Sequence, residues 1–279
     1  MVIGVSFLRR SLGSRKERID KLLVLRGFCE SREKAQGILL AGKVFVNGKR
    51  IEKPGEKVLE NADIEVRGEA CPYVSRGGLK LKKAIDEFGI SLKGKVCLDV
   101  GASTGGFTDC MLKEGALRVY AVDVGYGQLH WSLRNDPRVL SIERFNARYL
   151  NSSVIGEPVD FFAMDLSFIS VKKVLKAVEA LLKEEGEGVV LIKPQFEAGR
   201  EHVKRGVVKD KGIHAMVIND IIDFVEENLS LKPLSLTYSP IKGPEGNIEF
   251  LLHLAFREGA FERGMIVSIV ELAHIALGG

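Results

Sequence analysis

No apolar run reaches the roughly 18 residues that a membrane-spanning helix needs. The four cysteines, Cys29, Cys71, Cys97 and Cys110, form no C-x-x-C pair, and the five histidines form no cluster. That excludes a zinc site and a disulfide framework, so no metal is expected. Cys97 sits in an apolar strand pattern and reads as core. The amino-terminal apolar run, Val2 to Phe7, is short, and Arg9 and Arg10 follow it instead of preceding it, the reverse of a secretory signal. With no export route, Asn151-Ser152-Ser153 reads as a loop and not as a glycosylation acceptor, and the expected compartment is the cytoplasm. The net charge of +4 hides an uneven split: residues 1–58 carry 14 Lys and Arg against 6 Asp and Glu, and residues 59–279 carry 27 against 31. A basic module beside a mildly acidic one predicts a phosphate-rich partner for the first.

Within that module, residues 17–27 place Ile19, Leu22, Leu23 and Leu25 at helical spacing, with Gly27 as the stop. Ser31 starts a second helix that buries Ala35, Ile38 and Leu39 and ends at Gly42. Lys43 to Ile51 gives two alternating runs around Asn47-Gly48, a hairpin signal because both turn positions need positive φ. Val58 to Val66 predicts one more strand. Arg18, Lys21, Arg32, Lys34, Lys43, Lys49 and Arg50 would present a basic face. This segment, from Arg18 to Gly55, resembles the small RNA-binding domain named after ribosomal protein S-four, which implies docking on structured RNA through phosphates and shape.

The expected organisation is an RNA-binding domain over residues 1–67 (with 1–15 flexible), a linker over 68–72 and a second domain over 73–279. After the linker, Arg76 and the paired glycines 77 and 78 precede an amphipathic helix that carries Lys80 and runs to about Phe88. Lys95 to Asp109 reads as a buried strand, a Gly-rich turn and a helix start; Val119 to Val124 is a second strand with Asp123 at its end. This is the beginning of a doubly wound α/β sheet, in which an acid at the second strand end accepts hydrogen bonds from ribose hydroxyls. The turn reads Gly101-Ala102-Ser103-Thr104-Gly105-Gly106, which departs from the GxGxxG spacing of dinucleotide sites. Asp99 would repel a pyrophosphate and suits a cationic, phosphate-free ligand. S-adenosylmethionine, with its sulfonium, ammonium and ribose, is the expected cofactor.

The sheet should continue through strands at 138–143, 159–165 and 188–194, a helix over 171–182, a polar loop over 195–212, a helix over 214–229, and closing strands at 234–238 and 247–256. The polar loop carries Arg200, Lys204 and Arg205, and the sequence leaves RNA contact and a solvated flap equally open. Residues 262–277 read as an amphipathic terminal helix. Asp165 and Lys193 fall at strand ends and so face the crevice of Asp99 and Asp123. With Lys80 and Glu249 they make a Lys-Asp-Lys-Glu set, since an apolar strand ends in a costly lysine only when it is paired or functional.

The segments LDVGASTGGFTDC, AVDVGYGQL, MDLSFIS, IKPQFEAGRE and IKGPEGNIEFLLHL resemble the haemolysin A (TlyA) family of ribosomal RNA methyltransferases, whose catalytic part is similar to FtsJ-type ribose methyltransferases. The resemblance implies a Rossmann-like seven-stranded methyltransferase sheet beside a small α+β RNA-binding domain. It implies a catalytic tetrad of Lys80, Asp165, Lys193 and Glu249 around a target 2′-hydroxyl. It places cofactor contacts on Asp99, Gly101, Ala102, Ser103, Thr104, Gly105, Gly106, Phe107, Asp123, Asp165 and Asn146 with Ala147; many relatives have Asp where this chain has Asn146. Beside the resemblance, the residues themselves suggest RNA contacts on the basic face above, on Arg76 and, if the polar loop is not a solvated flap, on Arg200, Lys204 and Arg205. The implied reaction is methylation of a cytidine 2′-oxygen in large-subunit rRNA and, for some members, in small-subunit rRNA. The partners would be ribosomal RNA or ribosomal subunits. Lys193 would be the base or the stabiliser of a developing alkoxide. The rival readings are a membrane-active haemolysin, which lacks a spanning segment, and a non-catalytic RNA-binding assembly factor, which an intact tetrad disfavours.

Overall fold

The computed structural model describes residues 15–29, 31–67, 71–257, 259 and 261–278. Most of the amino-terminal segment expected to be flexible (residues 1–14) and residues 68–70 of the expected linker lie outside the described residues. The chain divides into two compact units, Met1–Ser75 and Arg76–Gly279.

The first unit contains β1 (Lys16–Arg18), α1 (Ile19–Leu25), α2 (Arg32–Leu40), β2 (Val44–Val46), β3 (Lys49–Ile51), β4 (Lys57–Leu59) and β5 (Ile64–Val66). Both helices lay their apolar faces on one core, with Ile19, Leu23, Ala35, Leu39 and Val44 fully buried. The hairpin forms at Asn47-Gly48, with φ of 50° and 75°. Two expectations need correction. Residues 17 and 18 are not helical: β1 pairs antiparallel with β4, and the helix begins only at Ile19, whose N–H reaches Glu56 O. The single strand expected over 58–66 is two strands of different sheets, β4 on β1 and β5 on β2, separated by a polar turn at residues 60 and 61. Buried Asp20 gathers charge on this unit: it accepts from Arg18 at 3.0 and 2.9 Å and from Arg32 at 2.9 Å. These partners hold its carboxyl well below the usual range.

The second unit starts with α3 (Gly77–Phe88), which stops at Gly89 with φ of 66°. There follow β6 (Val96–Val100), α4 (Gly106–Lys113), β7 (Arg118–Val122), α5 (Trp131–Arg134), β8 (Val139–Ile142), α6 (Ser152–Ile155), β9 (Val159–Met164), α7 (Lys172–Glu179), β10 (Leu182–Ile192), α8 (Pro194–Glu197), α9 (Lys211–Asn228), β11 (Lys232–Tyr238), β12 (Phe250–Ala255) and α10 (Met265–Leu277). The strands form one seven-stranded sheet in the order β11-β12-β10-β9-β6-β7-β8, parallel from β10 to β8 with β12 antiparallel. Leu98, Val190, Ile192, Phe250 and Leu252 share one core with α7, α9 and α10, and the alternate residues Cys97, Val189 and Leu251 are equally buried on the opposite face. Both faces are thus covered, which is why the central strands are near-continuous apolar runs. The chain leaves β6 toward β7 and later returns on its other side with β9, so the crevice of a doubly wound sheet opens above the β6/β9 pair.

Three boundaries differ from expectation. Leu182 belongs to β10 and not to the preceding helix; β10 runs 11 residues because its register shifts between Leu182 and Glu187. The polar loop after Lys193 holds α8, a 3-10 turn at Arg200–His202 and a two-residue hairpin closed by Lys204 and Val207. Asn151 is a helix cap, its side chain accepting from Ser153 N at 3.0 Å.

Glu187 ties the far end of the sheet together, with His253 at 2.9 Å and Lys95 at 2.8 Å. Burial alone would raise its pKa, but these hydrogen bonds outweigh it and bring the carboxyl down to about 2 from 4.5. A depressed carboxyl stabilises the fold above its unfolded pKa and loses that contribution as pH falls through its folded pKa. The Tm difference between the protein and its Glu187→Gln variant should therefore be widest above pH 4.5 and close toward pH 2. Thermal melts across that range measure it, and a constant difference would place the stabilisation elsewhere.

Candidate functional site

At the end of β6 the backbone turns sharply. Gly101 has φ of 90°, and a Cβ there would stand 2.3 Å from Asp165 O; Gly105 has φ of 93°, and a Cβ would meet Leu133 at 2.3 Å. Only glycine serves at both. The turn delivers Ser103 N to Asp123 Oδ2 at 2.8 Å, while Gly125 N reaches Asp123 Oδ1 at 2.6 Å. Asp123 is thereby fixed at the mouth of a cavity lined by Ala102, Ser103, Ala121, Asp123, Gly125, Gln128, Leu129, Ser141 and Glu143.

Asp99 is fully buried. Its Oδ2 accepts from Thr108 N at 2.8 Å and Thr108 Oγ1 at 2.6 Å, and its Oδ1 has no partner. Burial pushes it up to about 7, against the pull of Thr108. A buried carboxylate oxygen without a donor fits an incoming ammonium, and Asp123 beside it fits ribose hydroxyls. Of the remaining expected cofactor residues, Ala102 and Ser103 line the cavity. Phe107 is buried with its ring in the core. The Asn146 side-chain oxygen caps the 3-10 turn Ala147–Tyr149 by accepting from Arg148 N at 3.1 Å. Gln128, Ser141 and Glu143 went unnoticed in the sequence because their loops meet only in the folded sheet.

The four tetrad residues come together at the same edge of the sheet as two ion pairs. Lys80, in the first turn of α3, donates to Glu249 Oε2 at 2.6 Å, and both side chains are almost wholly buried. Lys193 Nζ lies 2.5 Å from Asp165 Oδ1 and donates to Ser167 Oγ at 3.0 Å. Burial works against the charge on Lys80, but Asp165 and Glu249 more than offset it and raise its pKa. Burial likewise raises Glu249, with Lys80 opposing. Asp165 bridges the pairs electrostatically, acting on both Lys80 and Glu249.

Sequence reasoning missed three neighbours of this set. Ser167 orients Lys193. Phe168 is 90% exposed and sits at φ of 65°, its ring 5.0 Å from that of Phe196. Such a backbone is uncommon for a bulky residue and clusters at functional sites. Gly243 packs against Glu249: a Cβ would stand 2.5 Å from Oε1. Of the expected RNA contacts, Arg18 and Arg32 are half-exposed on Asp20, and Lys21, Lys34, Lys49 and Arg50 are exposed. Lys43 and Arg76 are half-buried, and Arg200, Lys204 and Arg205 are exposed. Gly243→Ala should push the Glu249 carboxylate off Lys80 and destabilise the fold by about 1–3 kcal/mol, the usual cost of overpacking. Urea unfolding reads this directly, and an unchanged midpoint would show that the carboxylate moves without cost.

The FtsJ-like methyltransferase model matches residues 73–256, and the S4 domain model matches residues 17–64. YqxC of Bacillus subtilis, named as an rRNA methyltransferase, is 48% identical over 273 residues, spanning 95% of this chain and 96% of its own. The 16S/23S rRNA (cytidine-2′-O)-methyltransferase TlyA of Mycobacterium tuberculosis is 43% identical over 243 residues, spanning 86% of this chain and 90% of its own. A solved haemolysin-named protein from Streptococcus thermophilus superposes with a TM-score of 0.74 at 42% identity, covering 94% of this chain and 97% of that one. The chain therefore belongs to the FtsJ-like methyltransferase family, in the group that joins this fold to an S4 domain and includes TlyA.

Proposed function

We propose that this chain transfers a methyl group from S-adenosylmethionine to the 2′-oxygen of a cytidine ribose in large-subunit ribosomal RNA. The observation that carries this reading is the double ion pair of Lys80, Glu249, Lys193 and Asp165 beside the unpartnered oxygen of buried Asp99. The M. tuberculosis relative, named for this reaction on both rRNAs, supports the substrate. When bound, the cofactor would supply a sulfonium-bound methyl group, its sulfur departing as a neutral thioether. Asp99 would hold its ammonium, Asp123 its ribose and the Gly101–Gly105 turn its backbone-facing edge.

A ribose hydroxyl is a weak nucleophile at neutral pH, so the chain must orient it and accept its proton. Lys193 is anchored from two sides, by Asp165 and Ser167, and so presents its nitrogen in one direction. In that position its ammonium stabilises the charge developing on the 2′-oxygen; as the new O–CH₃ bond forms, Lys193 passes a proton to the Asp165 carboxylate, takes the hydroxyl proton in its place and stays an ammonium. Lys80 and Glu249 neutralise one another and shape the pocket for the hydroxyl. The exposed ring of Phe168, next to Ser167, offers a stacking surface for an unpaired base. In the amino-terminal unit, Asp20 orders Arg18 and Arg32 as a pair of donors suited to phosphate. Among the described residues no helix is long and apolar enough to cross a membrane, and no observation favours a lytic activity.

Lys193→Ala should lower methyl transfer to unmodified ribosomal subunits about 10²–10⁴-fold, the range for a lost proton-transfer group, and leave cofactor affinity within a factor of about two. Labelled cofactor and mapping of the modified nucleotide measure the first, and calorimetry the second. Full activity in the variant would overturn the assignment. Asp99→Asn should instead weaken cofactor binding by about tenfold or more, since a charge-assisted hydrogen bond is replaced by a neutral one. Unchanged affinity would remove Asp99 from the cofactor site.

A further inference from the structure

The carboxyl-terminal helix α10 lies beyond the residues matched by the methyltransferase model. Its apolar side, Ile266, Val270 and Ala273, is buried in the main core, which accounts for its attachment. That packing leaves unexplained a chain of polar contacts that starts on α10 and ends beside the tetrad.

His274 Nε2 is 3.0 Å from Nδ1 of His214, a fully buried residue of α9, and His214 Nε2 is 3.1 Å from Val208 O. A carbonyl only accepts, so His214 carries its proton on Nε2 and donates it to Val208. Its Nδ1 is then an acceptor, and His274 donates from Nε2. Burial, with His274 nearby, brings His214 down to about 4, consistent with this neutral tautomer. Val208 N in turn donates to Asn247 Oδ1 at 3.0 Å, and Asn247 Nδ2 donates to Gly206 O at 2.8 Å. Asn247 is two residues from Glu249, and its own carbonyl accepts from Gly243 N at 2.9 Å. A second thread runs from the same helix: Lys242 Nζ donates to Gly278 O at 2.9 Å.

One thread ends on the turn hydrogen-bonded to Asn247 and the other on Lys242, in the loop that precedes Glu249. The turn is the hairpin closed by reciprocal bonds of 3.0 Å between Lys204 and Val207. Its two tip residues, Arg205 and Gly206, have φ of 52° and 81°. A hairpin of this type favours Asn or Gly at its first tip position, so Arg205 is held there against its preference. An exposed arginine kept in a strained turn needs an anchor, and Asn247, Val208 and His214 are that anchor.

We infer that α10 is a positioning element for the Lys204–Val208 turn: His274, acting through His214, holds Arg205 where it meets a phosphate of the RNA whose ribose enters the tetrad. The consequence for RNA rests on the methyl-transfer reading above; the anchoring itself does not.

The test uses the full chain and three proteins: wild type, His274→Ala, and His274→Gln, whose side-chain amide can donate to His214 in place of the imidazole. Limited trypsin digestion reads the order of the turn through cleavage after Lys204 and Arg205. Steady-state methyl transfer to unmodified ribosomal subunits separates KM for RNA from kcat. His274→Ala should be nicked at the turn several-fold faster and show a KM raised about three- to tenfold, the effect of one lost hydrogen bond, with kcat within about twofold. His274→Gln should restore both. A nicking rate equal to wild type overturns the inference, as does a loss confined to kcat or a failure of His274→Gln to rescue. If wild type transfers no methyl group to RNA, the proposed function fails, and the trypsin result alone decides whether α10 holds the turn.

Discussion

A lysine and a glutamate buried against one another at 2.6 Å fix the geometry on which the rest of this site depends. Neither charge is tolerable alone in that position: removing one partner of a buried pair costs about 3–5 kcal/mol because the other is left uncompensated. Lys80 therefore commits the first turn of α3 to the edge of the sheet where Glu249 leads into β12. Gly243 has no side chain because that carboxylate occupies the space. The pair also sets the electrostatics next door. Asp165 acts on both of its members and makes its own close contact with Lys193, so four charges alternate in sign across the carboxyl ends of β9 and β10. An alternating set holds two ammonium groups close to a reacting oxygen without mutual repulsion, which is the electrostatic requirement of the proposed methyl transfer.

The proposed cofactor side of the crevice obeys a different rule. Asp99 is buried and half-satisfied, with one oxygen saturated by Thr108 and the other without a donor. Such a group is costly in the fold, and an incoming cation would compensate it; each tetrad acid already has a lysine against it, although Glu249 Oε1 is likewise without a hydrogen-bond partner. Asp123 differs again, since two backbone N–H groups orient it at the surface. Three acids at strand ends thus hold three electrostatic positions, set by their surroundings and not by residue type.

Much of this was legible in the sequence, and the reasons are local. Asn47-Gly48 announces its hairpin because the turn type is a property of two residues. Asp99, Asp123, Asp165 and Lys193 are visible because each ends an apolar run, and the doubly wound topology converts that position into a shared crevice. What escaped was decided by partners far along the chain. Residues 16–18 are a strand only because 57–59 pair with them, and β10 begins early because a register shift admits Leu182. Phe168 carries no signal of its own in the sequence, and only the fold shows its ring 90% exposed beside Ser167. Asn247 reads as the first residue of the closing strand, but β12 begins only at Phe250, and the Asn247 side chain instead bridges Gly206 and Val208. Ser167 and Gly243 matter solely through Lys193 and Glu249.

The central claim is that Lys80 and Glu249 act as one unit in the proposed reaction. A double-mutant cycle on the single-turnover rate of methyl transfer, comparing Lys80→Ala, Glu249→Ala and the double variant, tests it most directly. If the two act as one unit, the double variant is no slower than the slower single one, a coupling of about 1–3 kcal/mol between the two positions. Additive losses, with no coupling between them, would contradict it.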